Sequence, residues 1–274
     1  MIKTNAKFIP VALTIAGSDS AGGAGIQTDL RTFAFHCVHG TSAITCVTAQ
    51  NTVGVMRIDA MIKEAVIAQI RTVVEDIGIQ AAKTGMLLNQ EIISAVAREV
   101  TALEIDNLVV DPVMLSRTGA QLIDDDAVQT LCDELIPQAA IITPNRYEAQ
   151  ILSGLEIVSL EDMQTAAEII FKKLGIKAVL VKGGGMSGSL RGVDVWFDGE
   201  RLETLTTQQI ETKNTHGTGC TLSAAITANL ALGKDLWTAV QQAKDYVTTA
   251  LTYSLDIGKG QGPVGHFFPL LVKG

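Results

Sequence analysis

The sequence predicts an α/β fold with a mostly parallel central sheet. Short β-branched runs alternate with segments whose apolar residues recur at helical spacing. The strand-like runs are apolar without interruption, which is the pattern of strands buried on both faces. Glycines and polar residues cluster just after those runs, where ligands bind in open α/β sheets.

The strand-like runs, in chain order, are VALTIAG at 11–17, SAITCVTAQ at 42–50, AAKTGM at 81–86, NLVVDPVM at 107–114, AAIITPN at 139–145 and KAVLVKGG at 177–184. Residues 60–76 and 161–174 carry the clearest helical spacing between them. The stretch 194–217 differs: aromatic and β-branched residues alternate around an Asp-Gly pair, predicting a hairpin that leads into the last helices. GSDSAGGAG, QNT, GM, DPVM, PNRYE and KGGG each follow a strand, so one sheet edge should carry one pocket. No repeat or linker divides residues 1–274, and a single domain is expected.

Composition narrows the function classes. A net charge of −8, with no Lys/Arg cluster able to neutralise a run of phosphates, argues against a nucleic-acid partner. Mean hydropathy is positive at +0.29, but charge or turn residues break each apolar run before the roughly 20 residues that a spanning helix needs. The apolar run near the N-terminus reads as a first strand rather than an export signal. Cys37, Cys46, Cys132 and Cys220 show no CxxC spacing, so neither a zinc site nor a disulfide framework is indicated and a reducing cytoplasm is the expected setting.

The chemistry concentrates in KNTHGTGCTLSAAITANLALG, residues 213–233. Gly217 and Gly219 precede a helical run of small and apolar residues, so the backbone can approach an anion held by the first-turn amides and the helix dipole. A lone GxG is more often an ordinary loop, but Cys220 adds a thiol in that first turn, where a lowered pKa and a role as base are expected. GSDSAGGAG is neither a Walker A loop nor a dinucleotide fingerprint. Gln50 ends the second strand, where its amide can donate and accept at once against a polar ligand edge or else satisfy loop backbone. Asp111 and Glu148 are strand-end carboxylates of the type that Mg²⁺ takes, although Glu148 also suits an exposed helix start. Lys182, before three glycines, can reach a bound phosphate as a point charge or remain solvated. His36, His39, His216 and His266 receive no role.

Taken together, LTIAGSDSAGGAGIQTDL, TAQNT, KTGM, DPVMLSRTG, ITPNRYEA, VLVKGG and KNTHGTGCTLSAAI resemble, in order and over almost the whole chain, the hydroxymethylpyrimidine/phosphomethylpyrimidine kinases of thiamine biosynthesis. The resemblance implies a ribokinase-like three-layer α/β/α fold, a homodimer, and ATP- and Mg²⁺-dependent phosphorylation of 4-amino-5-hydroxymethyl-2-methylpyrimidine and then of its monophosphate. It makes Gly217, Thr218, Gly219 and Cys220 the anion hole and catalytic loop. The Ala24 backbone and Gln50 would touch the pyrimidine, with Asp29 beside it and apolar contacts from Met86 and Val113. Asp111 and Glu148 would organise the metal, and Lys182 would bind ATP. Asp29 could instead be a solvent-facing helix residue, and Met86 and Val113 plain core. Two rival functions are a pyridoxal kinase of the same superfamily and a non-catalytic pyrimidine-binding protein; Gln50 and Met86 favour the pyrimidine, and the joint presence of Cys220, Asp111, Glu148 and Lys182 favours catalysis.

Overall fold

A computed structural model describes residues 8–114 and 123–272. Its strands are β1 (Val11–Asp19), β2 (His39–Gln50), β3 (Val55–Ala60), β4 (Ala81–Thr84), β5 (Leu108–Val110), β6 (Ile141–Ile142), β7 (Val179–Val181), β8 (Asp194–Phe197) and β9 (Leu202–Leu205). They form one sheet in the order β3-β2-β1-β4-β5-β6-β7-β8-β9. The pairs from β2 through β7 are parallel, and β3, β8 and β9 pair antiparallel at the edges.

The continuous apolar runs have a simple cause. Leu13 and Ile15 of β1, Leu108 and Val110 of β5, and Val179 and Val181 of β7 point into one core, while Ala12, Val109 and Leu180 point into another on the opposite face. Since successive strand residues alternate in direction, two cores demand an apolar residue at every position. The first core is closed by α2 (Lys63–Asp76), α3 (Gln90–Ala102), α4 (Asp125–Thr130), α5 (Arg146–Ser153) and α6 (Leu160–Leu174). α1 (Gly25–Phe35), α7 (Thr218–Ala231) and α8 (Leu236–Thr252) close the second, giving the three-layer α/β/α arrangement. A short α9 (Phe268–Leu271) follows.

α7 is buried without a break from Thr221 to Ala231, and its run of Ala, Ser and Thr lets its backbone lie close to its neighbours. Helix starts follow local chemistry. Asn145 and Glu148 form a reciprocal capping box on α5, and Ser159 and Asp162 form another on α6, whose end is closed by Gly175 at φ 63°. The expected Asp-Gly hairpin is β8–β9, turned by the Asp198 carboxylate accepting from the Glu200 and Arg201 amides at 3.1 and 2.7 Å.

From β1 the chain first moves outward through β2 and β3, then returns to lay β4 on the other side of β1. That reversal opens a crevice at the carboxyl ends of the central strands. Among the described residues no helix is long and apolar enough to cross a membrane.

Candidate active site

The two glycine loops meet at Gly217. This residue caps α7 with φ 81°, and a Cβ there would lie 1.9 Å from the Gly23 carbonyl oxygen, so a side chain is excluded by conformation and by space. Gly217 offers no side-chain cap, which leaves the first-turn amides of Gly219 and Cys220 for an anion. Thr218 turns back on itself, its hydroxyl donating to the Thr215 carbonyl at 2.7 Å.

Charged side chains gather against Gly219. Lys182 Nζ donates to Asp111 Oδ1 at 2.9 Å, and a Cβ on Gly219 would stand 3.3 Å from that Nζ and 3.9 Å from Asp111 Oδ2. Lys182 is only 12% exposed, so it is not the solvated lysine that the sequence allowed. Ser223, one turn into α7, donates to Asp111 Oδ2 at 3.2 Å. Burial pushes Asp111 up, but Lys182 and Lys83 outweigh it and hold the carboxyl below its ordinary range.

Glu148 is 2% exposed rather than a surface acid, and its oxygens accept from the Asn145 amide at 2.7 Å and the Met114 amide at 3.4 Å. Burial pushes its carboxyl up to about 7, with Lys182 opposing and Asp111 adding to the rise. Two neighbouring carboxylates share one lysine here. A dication would relieve that imbalance, so the donor set fits Mg²⁺. Among the described residues no three acidic, His or Cys side chains form a cage, which suits an ion completed by phosphate oxygens and water.

Cys220 corrects one expectation. Helix position alone predicts a lowered thiol pKa, but burial pushes it up to about 11, with the Asp29 and Asp111 carboxylates adding to the rise. Lys83 and a hydrogen bond from the Gly25 amide pull the other way and do not prevail. At neutral pH the resting group is therefore a thiol.

The opposite half of the crevice is built on Asp19 and His216, neither of which the sequence singled out. Asp19 accepts from the Ala21, Gly23 and Ala24 amides at 2.9, 3.1 and 2.9 Å and lies 3.0 Å from His216 Nε2. Burial pushes this carboxyl up, but the His216 contact and the amides outweigh it and leave it below its ordinary range. The Ala24 amide is thus committed to Asp19. Gln50 is half-buried, with Nε2 3.3 Å from His216 Nε2; its backbone is tied to the Ser20 hydroxyl, which frees the side chain from backbone duty. Met86 and Val113 are both half-buried, and the Met86 methyl lies 3.1 Å from where a Cβ on Gly17 would stand.

Asp29 faces neither solvent nor the crevice. It is fully buried, with both oxygens 2.9 Å from Lys83 Nζ and one accepting from the Thr14 hydroxyl at 2.6 Å. Lys83 is likewise fully buried. A Lys inside AAKTGM signals such a partner only once two-sided burial of the strand is accepted, since an unpaired ammonium could not be buried there. Of the DPVMLSRTG motif, residues 115–119 lie outside the described residues.

Contacts therefore tie Asp111 and Lys182 to Gly219 at the start of α7 and Gln50 to His216 and Asp19 beside Gly23, while Asp29 lies buried against Lys83. A hydroxymethylpyrimidine/phosphomethylpyrimidine kinase of Synechococcus elongatus is 58% identical over 96% of this chain and 99% of its own length. Another from Bacillus subtilis is 46% identical over 93% and 94%. Among solved structures, an ADP complex of Bacillus subtilis pyridoxal kinase matches with a TM-score of 0.89 and 39% identity, covering 94% of this chain and 98% of that one. A phosphomethylpyrimidine kinase from Clostridium difficile matches at 0.79 and 42%, covering 88% and 99%. The phosphomethylpyrimidine kinase family model matches residues 19–265, which runs from the Asp19 loop through every strand-end motif to beyond the GTGC helix, and the chain belongs to that family.

Proposed function

We propose that this chain phosphorylates 4-amino-5-hydroxymethyl-2-methylpyrimidine and then the resulting monophosphate, with ATP as donor and Mg²⁺ as cofactor. One observation carries the reading: the Gly217–Gly23 contact joins an anion site flanked by Lys182 and Asp111 to the Asp19 loop, where Gln50 meets His216. The names of the relatives support the same substrates, the family resemblance supports a homodimer, and the scattered cysteines support a reducing cytoplasm.

Phosphoryl transfer depends on positioning and on stabilising charge spread over the equatorial oxygens. In this reading the Gly219 and Cys220 amides receive those oxygens, with the Lys182 ammonium beside them. Asp111 and Glu148 hold Mg²⁺, whose chemistry when bound is to neutralise charge across the ATP phosphates. Gln50 and the apolar flanks of Met86 and Val113 fix the ring.

In the first transfer the substrate hydroxyl oxygen bonds to the γ-phosphorus, the bond to the bridging oxygen breaks and releases ADP, and the hydroxyl proton passes to Cys220 Sγ once the thiol has given its own proton to solvent. The nearby Lys83 ammonium and the Gly25 amide are what favour the thiolate form needed for that step. In the second transfer an ionised phosphate attacks, and no base is required.

Pyridoxal kinase activity is the second reading, favoured by the overlay on the Bacillus subtilis pyridoxal kinase. A panel of hydroxymethylpyrimidine, its monophosphate and pyridoxal, compared by kcat/KM, tests both. The pyrimidines should lead; preference for pyridoxal would overturn the main reading, and absence of ATP consumption with all three would favour a binding protein.

A further inference from the structure

His216 is pinned on every side. Its amide donates to the Gly262 carbonyl at 3.1 Å, its carbonyl accepts from the Val264 amide at 3.2 Å, and its ring covers Gly23 so closely that a Cβ there would lie 2.2 Å from Cδ2. The side chain is 9% exposed. Two groups meet the ring at Nε2: Asp19 Oδ2 at 3.0 Å and the Gln50 amide at 3.3 Å.

Counting hydrogens decides how these groups are used. Asp19 is an ionised acceptor, so Nε2 must carry a hydrogen and point it toward that carboxylate. A protonated Nε2 cannot also accept from an amide NH₂. At the other end of the same amide, the Thr48 hydroxyl lies 3.1 Å from the Ser18 carbonyl and 3.1 Å from the Gln50 amide oxygen. One hydroxyl has one hydrogen, and the Ser18 carbonyl can only accept. Thr48 must therefore receive a hydrogen from Gln50. A half-turn of the amide removes both conflicts: its NH₂ can donate to Thr48, and its oxygen shares the one Nε2 hydrogen with Asp19 in a three-centre bond, the longer arm being the 3.3 Å one.

From this we infer that His216, anchored by Asp19 as an Nε2–H donor, is a positioning residue that fixes the Gln50 amide with its oxygen toward His216 and its NH₂ toward Thr48. Each end then keeps one unused valence facing the crevice, a lone pair on Oε1 and a hydrogen on Nε2. That adjacent acceptor–donor pair matches a heterocycle edge carrying an amino group beside an unprotonated ring nitrogen. The inference rests on the reading of Gln50 as a ring contact given above, and it adds what sets the polarity of that contact.

Steady-state kinetics with hydroxymethylpyrimidine on single and double variants tests it. His216→Ala should raise KM for the pyrimidine about tenfold, the effect of one misaligned hydrogen bond, with no comparable rise in KM for ATP. His216→Gln, whose amide can donate from nearly the same place, should recover KM to within about threefold of the parent. In a Gln50→Ala background His216→Ala should add less than about twofold, because the two act as one unit. A rise in KM for ATP equal to that for the pyrimidine, or additive effects in the double variant, would show His216 to be only a strut between the loops and overturn the inference. If Gln50→Ala alone leaves the pyrimidine KM unaltered, the ring contact itself is wrong; if Gln50→Ala weakens binding and His216→Ala does not, only the positioning role falls.

Discussion

Lys83 and Asp29 form an ion pair with no solvent exposure on either side chain, Nζ lying 2.9 Å from both carboxylate oxygens. It joins β4 to α1 beneath the crevice. Burial pushes the Lys83 ammonium toward losing its proton, but Asp29, Cys220 and Asp111 outweigh burial and hold its pKa above the ordinary value.

Removing one partner should cost far more than the pair contributes. Lys83→Met leaves a buried carboxylate with only the Thr14 hydroxyl, and a loss of about 3–5 kcal/mol in urea unfolding is expected. Lys83→Met combined with Asp29→Leu should lose much less than the sum of the two single changes. Strict additivity would show that the two groups are not paired in solution.

Gly217 and Gly219 should fail in different ways. Ala at 217 needs a positive φ and drives a methyl into the Gly23 carbonyl, so it should lower stability and activity together. Ala at 219 has no such conflict, but places its methyl 3.3 Å from Lys182 Nζ, in the space where the phosphate would sit. A drop in kcat of about 10²-fold or more is expected, as for losing one oxyanion-hole donor, with the unfolding midpoint nearly constant. A stable and fully active Gly219→Ala variant would rule out that anion site.

Which parts were legible in the sequence follows from burial. The central strands were readable because two cores make every position apolar, and the GTGC helix was readable from its glycines and small residues. β3 was not: VMRIDA is largely exposed at an antiparallel edge and carries Arg57 and Asp59, so neither alternation nor an apolar run marks it. The helix expected over 60–76 begins at Lys63 because Ala60 still belongs to that strand. The parallel order expected from the sequence places the carboxyl ends of the central strands at one edge. Asp19 was not singled out and His216 was given no role because their meaning lies in a contact across 197 positions. The thiol pKa was misjudged for a related reason: helix position is visible in sequence, whereas the desolvation that dominates Cys220 is tertiary.

Cys220 should alkylate slowly at neutral pH. With its pKa pushed up to about 11, iodoacetamide should modify exposed Cys37 first, and Cys220 should react appreciably only in strong alkali. Cys220→Ala should depress kcat for the hydroxymethyl substrate more than for the monophosphate, which needs no base. Equal losses in both reactions would count against a proton-accepting role.

Acid sensitivity should trace in part to His266, which is 2% exposed beside the first turn of α7. The Thr221 hydroxyl is 2.8 Å from the Gly217 carbonyl, to which it donates, and 2.9 Å from His266 Nε2. Burial, helped by Arg31, pushes the imidazole down to about 4, with a hydrogen bond to Val264 opposing. The folded protein then binds the proton less readily than the unfolded chain, whose histidine titrates near 6.5. The stabilisation is therefore complete above about pH 6.5 and is lost as pH falls toward 4, amounting to about 3 kcal/mol over that window. His266→Gln keeps an amide that can donate to or accept from Thr221, and it cannot titrate. Its urea stability should fall less steeply than the parent's between pH 7 and 4, by about 3 kcal/mol across the range. Parallel profiles for the two proteins would mean that His266 takes up its proton without penalty, and that the ring at the base of the GTGC helix is not held neutral by its surroundings.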